Sequence, residues 1–115
     1  MNTKISKMYI LIKDNVDLGH AILGAAHASL SGYLTWENAE QDDDHVSVKD
    51  YVQHSFRKVV CKVSSEEFEA AKSHGVAGKD YRIMTECALD NEEIAIVFRP
   101  SDVWDPWFKG LKLYR

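Results

Sequence analysis

The sequence predicts an α/β protein of three layers, with helices on both faces of a mixed four-stranded sheet in the order 2-1-4-3. Three observations carry this. Two unbroken apolar runs, Met8–Ile12 and Ile94–Phe98, are too short for ordinary helices and rich in Ile, so they read as central strands buried on both faces. Two other segments, Arg57–Val63 and Asp80–Glu86, alternate in character, and the lysines of Arg57–Val63 suit an edge that must not pair with another chain. Finally, only "CALDNEE" separates the third strand from the fourth. That is too short for a parallel crossover, so this pair must be antiparallel.

The remaining elements follow in order. After the first strand, the segment from about Asp17 to Trp36 has helical spacing, with Asp17 as a ready N-cap. The acidic run "ENAEQDDDH" then reads as a solvated loop, and "VSVKDYVQHSF", residues 46–56, as a short second helix. Ser64 with Glu67 forms a capping box for a third helix, which Gly75 ends. Arg99-Pro100 closes the last strand, and Ser101 is placed to cap a short helix through "DVWDPWF". Trp104 and Trp107 there suit either of two tasks, covering the sheet edge or stacking on a base.

A chain of 115 residues fits one domain, residues 1–115, with a core that needs no disulfide or metal support. Its net charge of −4 argues against strong binding of nucleic acid by the surface as a whole, because affinity for phosphate comes mainly from Lys and Arg. Local basic patches stay open. Cys61 and Cys87 form no CxxC motif and are expected as unpaired thiols in a reducing, cytoplasmic setting. The start "MNTKISKMYILIK" holds too short an apolar run for a leader or a membrane span.

The first helix carries the unusual features. His20, Gly24, His27 and Ser31 recur at helical spacing and share one narrow stripe. Ile22, Leu23, Ala26, Leu30, Tyr33 and Leu34 make a broader apolar face, expected to meet the core. Gly24 leaves the backbone bare, for close approach either of a ligand or of the sheet, and His27 suits either a site or the core. His20 lies in the first turn, beside the crevice where ligands bind in open α/β sheets. His20 and His27 stand roughly 10 Å apart along the axis, which does not suit a shared metal. Cys87 has no base expected beside it, so a nucleophilic role has little support.

"KMYILIKDNVDLGHAILGAAHASLSGYL" resembles the opening of the type 2 peptidyl-tRNA hydrolase family, in which a hydrophobic strand leads into a Met-Gly-Lys-Gly-Lys-type turn and a Gln-Cys-Ser-His-Ala-Ala helix. "KVVCKVSSEEF", "IAIVFRPS" and "KGLKLYR" resemble, in the same order, its second strand with the capped helix, its last strand, and its Gly-x-Leu-Lys-Leu-Leu ending. The resemblance implies a compact α/β/α fold that cleaves the ester between a peptide and the tRNA 3′ end, with no metal or cofactor, tRNA as partner, and a homodimer in many members. Ala26-His27-Ala28-Ser29 aligns with the family's Ser-His-Ala-Ala. His20 then takes the place of its catalytic lysine, Gly24 that of its glutamine, and Glu86, with Thr85 as the alternative, the neighbourhood of its aspartate. The expected site is a His20–Glu86 pair, in which the carboxylate orients an imidazole that activates water. Gly19, Gly24 and Thr85 border it and His27 lies beneath. The competing expectation is a non-catalytic member of the same fold, binding a small ligand or a protein partner in that crevice.

Overall fold

The computed structural model describes residues 5–115; Met1–Lys4, part of the stretch read above as too short for a leader, lie outside the described residues. The elements are β1 (Lys7–Lys13), α1 (Leu18–Trp36), α2 (Val48–His54), β2 (Arg57–Val63), α3 (Ser65–Ala71), β3 (Tyr81–Glu86), β4 (Glu92–Phe98) and α4 (Pro106–Lys109). The sheet order is β2-β1-β4-β3, as the apolar runs required. β1 and β2 are parallel, and β4 is antiparallel to both β1 and β3. Among the described residues no helix is long and apolar enough to cross a membrane.

Strand alternation divides the core. Met8, Ile10 and Ile12 face Val97, α1 and α2, whereas Tyr9 and Leu11 join Ile96 and Phe98 under α3 and α4. The register between β3 and β4 pairs Met84 with Ala95 but Thr85 with Glu93, skipping Ile94. This bulge turns both Ile94 and Ala95 towards α1. The turn into β4 places Asp90 and Asn91 in left-handed backbone, with φ of 55° and 61°, a conformation that short polar side chains tolerate best. The free edge of β2 is covered by the chain's own end. Leu113 bridges to Cys61, and Lys62 and Tyr114 donate their N–H groups to Lys112 and Val60 at 3.0 and 2.8 Å.

The caps follow the sequence with one exception. Asp17, Ser47 and Ser64 cap α1, α2 and α3, and the Ser64–Glu67 capping box is complete. The last helix is capped by Asp105, which accepts from Trp107 N–H at 2.8 Å, and not by Ser101 as expected. Ser101 pairs with Lys7 in an antiparallel bridge and spends its hydroxyl on the Asp44 and Val103 carbonyls. Pro106, suited to the first helical position, moves the start downstream.

α1 packs on the sheet by a face other than the one its large apolar residues predict. Its buried residues are Ala21, Gly24, Ala28, Gly32 and Trp36. The face expected in the core points outward: Ile22 is 60% exposed and Leu30 58%. Size explains the inversion. A Cβ on Gly24 would lie 3.0 Å from Ile94 Cδ1, and one on Gly32 would lie 2.8 Å from Met8 Cε. The helix sits so low on the sheet that only small residues fit between them. Gly24 is therefore a packing residue, and not part of a crevice.

Candidate active site at the strand ends

β1, β2 and β3 all run the same way, so Lys13, Val63 and Glu86 finish at one end of the sheet. The turn from β1 into α1 is tied to that end by Asp14 N–H, which donates to the Val63 carbonyl at 2.8 Å. Asp17 then caps α1. One oxygen of its carboxylate accepts from His20 N–H at 3.3 Å, and the other lies 2.6 Å from His20 Nδ1. The cap thus holds the imidazole as well as the helix start. The side-chain bond from His20, aided by the backbone bond and the imidazole's charge, keeps the Asp17 carboxyl below the usual carboxylate range against a smaller opposing effect of burial.

The His20 side chain is 28% exposed. With Nδ1 engaged by Asp17, its Nε2 has no hydrogen-bond partner among the described residues. A neutral imidazole oriented in this way donates from Nδ1 and keeps its Nε2 lone pair for a proton. This is the arrangement by which a carboxylate fixes a histidine as a general base.

No direct hydrogen bond or ion pair joins His20 to Glu86 among the described residues: both stand at this end of the sheet, and each bonds locally. The Glu86 carboxylate accepts from Ala88 N–H at 3.1 Å and from the Cys87 thiol at 3.7 Å, capping the turn Cys87–Leu89. The i, i+3 geometry of a first helical turn gives His20 a carboxylate in Asp17, 2.6 Å away. Both residues were legible in the sequence, Asp17 only as a cap. Thr85 is exposed beside the β-bulge, and Gly19 is exposed with Asp17 Oδ2 3.5 Å from where its Cβ would be. His27 is neither beneath a crevice nor in the core. It lies exposed on α1, bordering a shallow depression with Ser31 and Arg82.

A cleft of about 730 Å³ opens at the same end, bordered by Asp14, Ser64 and Glu67 and by the cations Lys62, Lys112 and Arg115. A smaller cleft of about 390 Å³, which no sequence motif signals, lies at the opposite end. There His45 bridges Asp42 at 2.8 Å and Asp80 at 3.1 Å, while buried Arg99 donates to the Glu40 carbonyl at 2.8 Å. Burial alone would raise the Asp42 carboxyl, but the bonds from Asp44 N–H and His45, with the Arg99 charge, hold it low. These contacts pin the acidic loop, which is therefore not merely solvated. Trp104 packs on Tyr9 and Phe98 of the central strands, and Trp107 stacks on His74 with ring centres 4.4 Å apart. The two tryptophans cover the sheet's face, not its edge.

Comparison with models of known protein families finds none that matches the chain, and no curated protein matches it either.

Proposed function

We propose that the protein hydrolyses the ester of peptidyl-tRNA or a related aminoacyl ester, with His20 as general base and Asp17 as the residue that positions it. The observation that carries this reading is the 2.6 Å contact between Asp17 and His20 Nδ1, with Nε2 of a half-buried ring left without a bond among the described residues. A water bonded to Nε2 loses its proton to the imidazole as it attacks the ester carbonyl. The imidazolium, stabilised by Asp17, then returns the proton to the departing ribose oxygen. The ordered resemblance of four segments to the hydrolase family supports the substrate class, and a cytoplasmic location is proposed with it. Release of labelled peptide from peptidyl-tRNA tests the reading. His20→Ala is expected to slow it by about 10²–10⁴-fold, the usual contribution of a general base, and an unchanged rate refutes the role.

A second reading concerns the outer face of α1. Leu18, Ile22, Leu23, Leu30, Tyr33 and Leu34 are all exposed, and the helix contains no Asp, Glu, Lys or Arg. An apolar face of this extent is a mark of an interaction surface. Leu23, Ala26, Leu30 and Tyr33 follow the alternate three- and four-residue spacing of a helix–helix seam. An uncharged, self-complementary seam suits a second copy related by a two-fold axis, since neither copy brings like charges into the contact. Sedimentation at micromolar concentration is expected to show a dimer that Leu23→Ser/Leu30→Ser converts to monomer; a monomeric parent protein excludes this reading.

A further inference from the structure

Cations are distributed unevenly over the fold. The segments 57–63 and 106–115 contain Arg57, Lys58, Lys62, Lys109, Lys112 and Arg115, with no Asp or Glu, in a chain whose net charge is −4. The fold joins these two segments side by side through the Cys61–Leu113 bridge. All six side chains are exposed or half-exposed, and among the described residues none forms a salt bridge. The turn between β3 and β4 is opposite in sign: residues 86–93 contain Glu86, Asp90, Glu92 and Glu93 and no cation, while β3 itself carries Arg82.

Two local details point to an anion along the basic edge. The bridge register sets Lys62 against Lys112, joined by their backbone bond of 3.0 Å. Like charges opposed across strands disfavour each other. Lys62 Nζ lies 5.3 Å from the Tyr114 ring centre, and the positive charge of both lysines is without a carboxylate partner among the described residues. The two lysines and Arg115 also border the cleft at the strand ends, where Glu67 is occupied by the Ser64 N–H at 2.9 Å and Asp14 is the other carboxylate. At the other end of β2, Phe56 is 59% exposed in left-handed backbone, φ 61°, and Lys58 Nζ lies 3.3 Å from its ring centre. A bulky residue held in that conformation is strained, yet its ring stays in solvent beside cations.

From this juxtaposition we infer that the edge formed by β2 and the chain end is a binding surface for a single-stranded nucleic acid. Its phosphates lie along Lys62, Lys112, Arg115 and Arg57, and a base stacks on Phe56. Cations tracking a backbone beside an exposed ring is the general means of holding single strands. β2 spans roughly 20 Å at the usual rise per residue, room for several nucleotides. The strip ends at the cleft next to the Asp14–Asp17 turn, so a strand lying on it brings its terminus to His20. The inference rests on the proposed hydrolase reading only for that last point.

The test uses fluorescence anisotropy with a labelled single-stranded RNA oligonucleotide that carries no ester, so that binding is read independently of hydrolysis. Affinity of the intact protein is expected to fall linearly with salt on logarithmic axes. Lys62→Gln/Lys112→Gln/Arg115→Gln is expected to bring the slope nearer to zero by about 2, since each phosphate contact on a single strand contributes roughly 0.7. Phe56→Gly, which relieves the backbone and so preserves folding, is expected to lower affinity with the slope unchanged. Lys79→Gln/Arg82→Gln, away from the strip, is expected to bind as the parent does. An unaltered slope in the triple variant, an equal loss in the control variant, or equal binding of polyglutamate or anionic vesicles overturns the inference. Hydrolysis without RNA binding refutes the strip alone, and binding without hydrolysis refutes the catalytic reading alone.

Discussion

Single side chains in the core have consequences that solution chemistry can read. Burial pushes the Cys61 thiol up to about 11, with Glu67 adding to the effect, and the Tyr51 phenol up to about 12. Both groups hold their protons in the folded state at a pH where the unfolded chain releases them, because ordinary thiols and phenols ionise near 8.5 and 10. Their contribution to stability is therefore complete at neutral pH and is lost as pH rises through these values. Urea unfolding between about pH 9 and 11 should show a falling midpoint, and Tyr51→Phe should flatten the upper part of that fall. At neutral pH a thiol reagent is expected to label exposed Cys87 at once and buried Cys61 only after unfolding. Two thiols reacting equally fast in the native protein would contradict the placement of Cys61. Here the sequence is informative, since strand alternation sets Cys61 on the same side as Val59 and Val63, which face the core. It was uninformative about His20, whose partner depended on a first-turn rotamer and not on residue type.

At the scale of elements, α1 shows what periodicity can and cannot specify. The pattern of large apolar residues identified the helix. The small-residue stripe was placed out of step, since His27 is exposed and Ala21, Ala28 and Gly32 join Gly24 against the sheet. The expectation that the large residues meet the core also failed, because helical periodicity does not say which face meets the sheet. Separation decided that: β1 and β4 present long side chains such as Met8 and Ile94, leaving room above them for glycine and alanine only. Substitutions should accordingly reverse the usual expectation for a helix. Gly32→Leu is expected to destabilise the protein by about 1–3 kcal/mol or more through overpacking. Leu30→Ala should change the monomer's stability by less than about 0.5 kcal/mol, as at other exposed positions. Chemical denaturation of both variants checks this, and the opposite order would mean that α1 packs by its large residues after all. The capping signals at Asp17, Ser47 and Ser64 were legible because each is local. The start of α4 was not, since Ser101 answers to Lys7, far away in the chain.

For the whole molecule, strand order was readable because two apolar runs must lie inside and one short connection must be a hairpin. What escaped was the closure of the fold at its two ends. The chain end zipped onto β2, and Arg99 and His45 pinning the acidic loop, join residues whose proximity no local pattern encodes. Arg99→Met removes the guanidinium that holds the Glu40 carbonyl, so limited proteolysis is expected to cut within residues 37–45 much faster than in the parent protein. Equal cleavage rates would show that the loop is held by His45 without Arg99.

The claim on which the functional account depends is that Asp17, and not Glu86, partners His20. Single-turnover hydrolysis of peptidyl-tRNA by Asp17→Asn and Glu86→Gln, each beside the parent protein across a range of pH, tests it most directly. Asp17→Asn is expected to lose about 10²-fold or more, since an amide cannot fix the tautomer and stabilise the imidazolium formed in the reaction. Glu86→Gln should keep the parent's rate and profile. Full activity in Asp17→Asn, with activity lost in Glu86→Gln, would contradict the account and return the catalytic carboxylate to the end of β3.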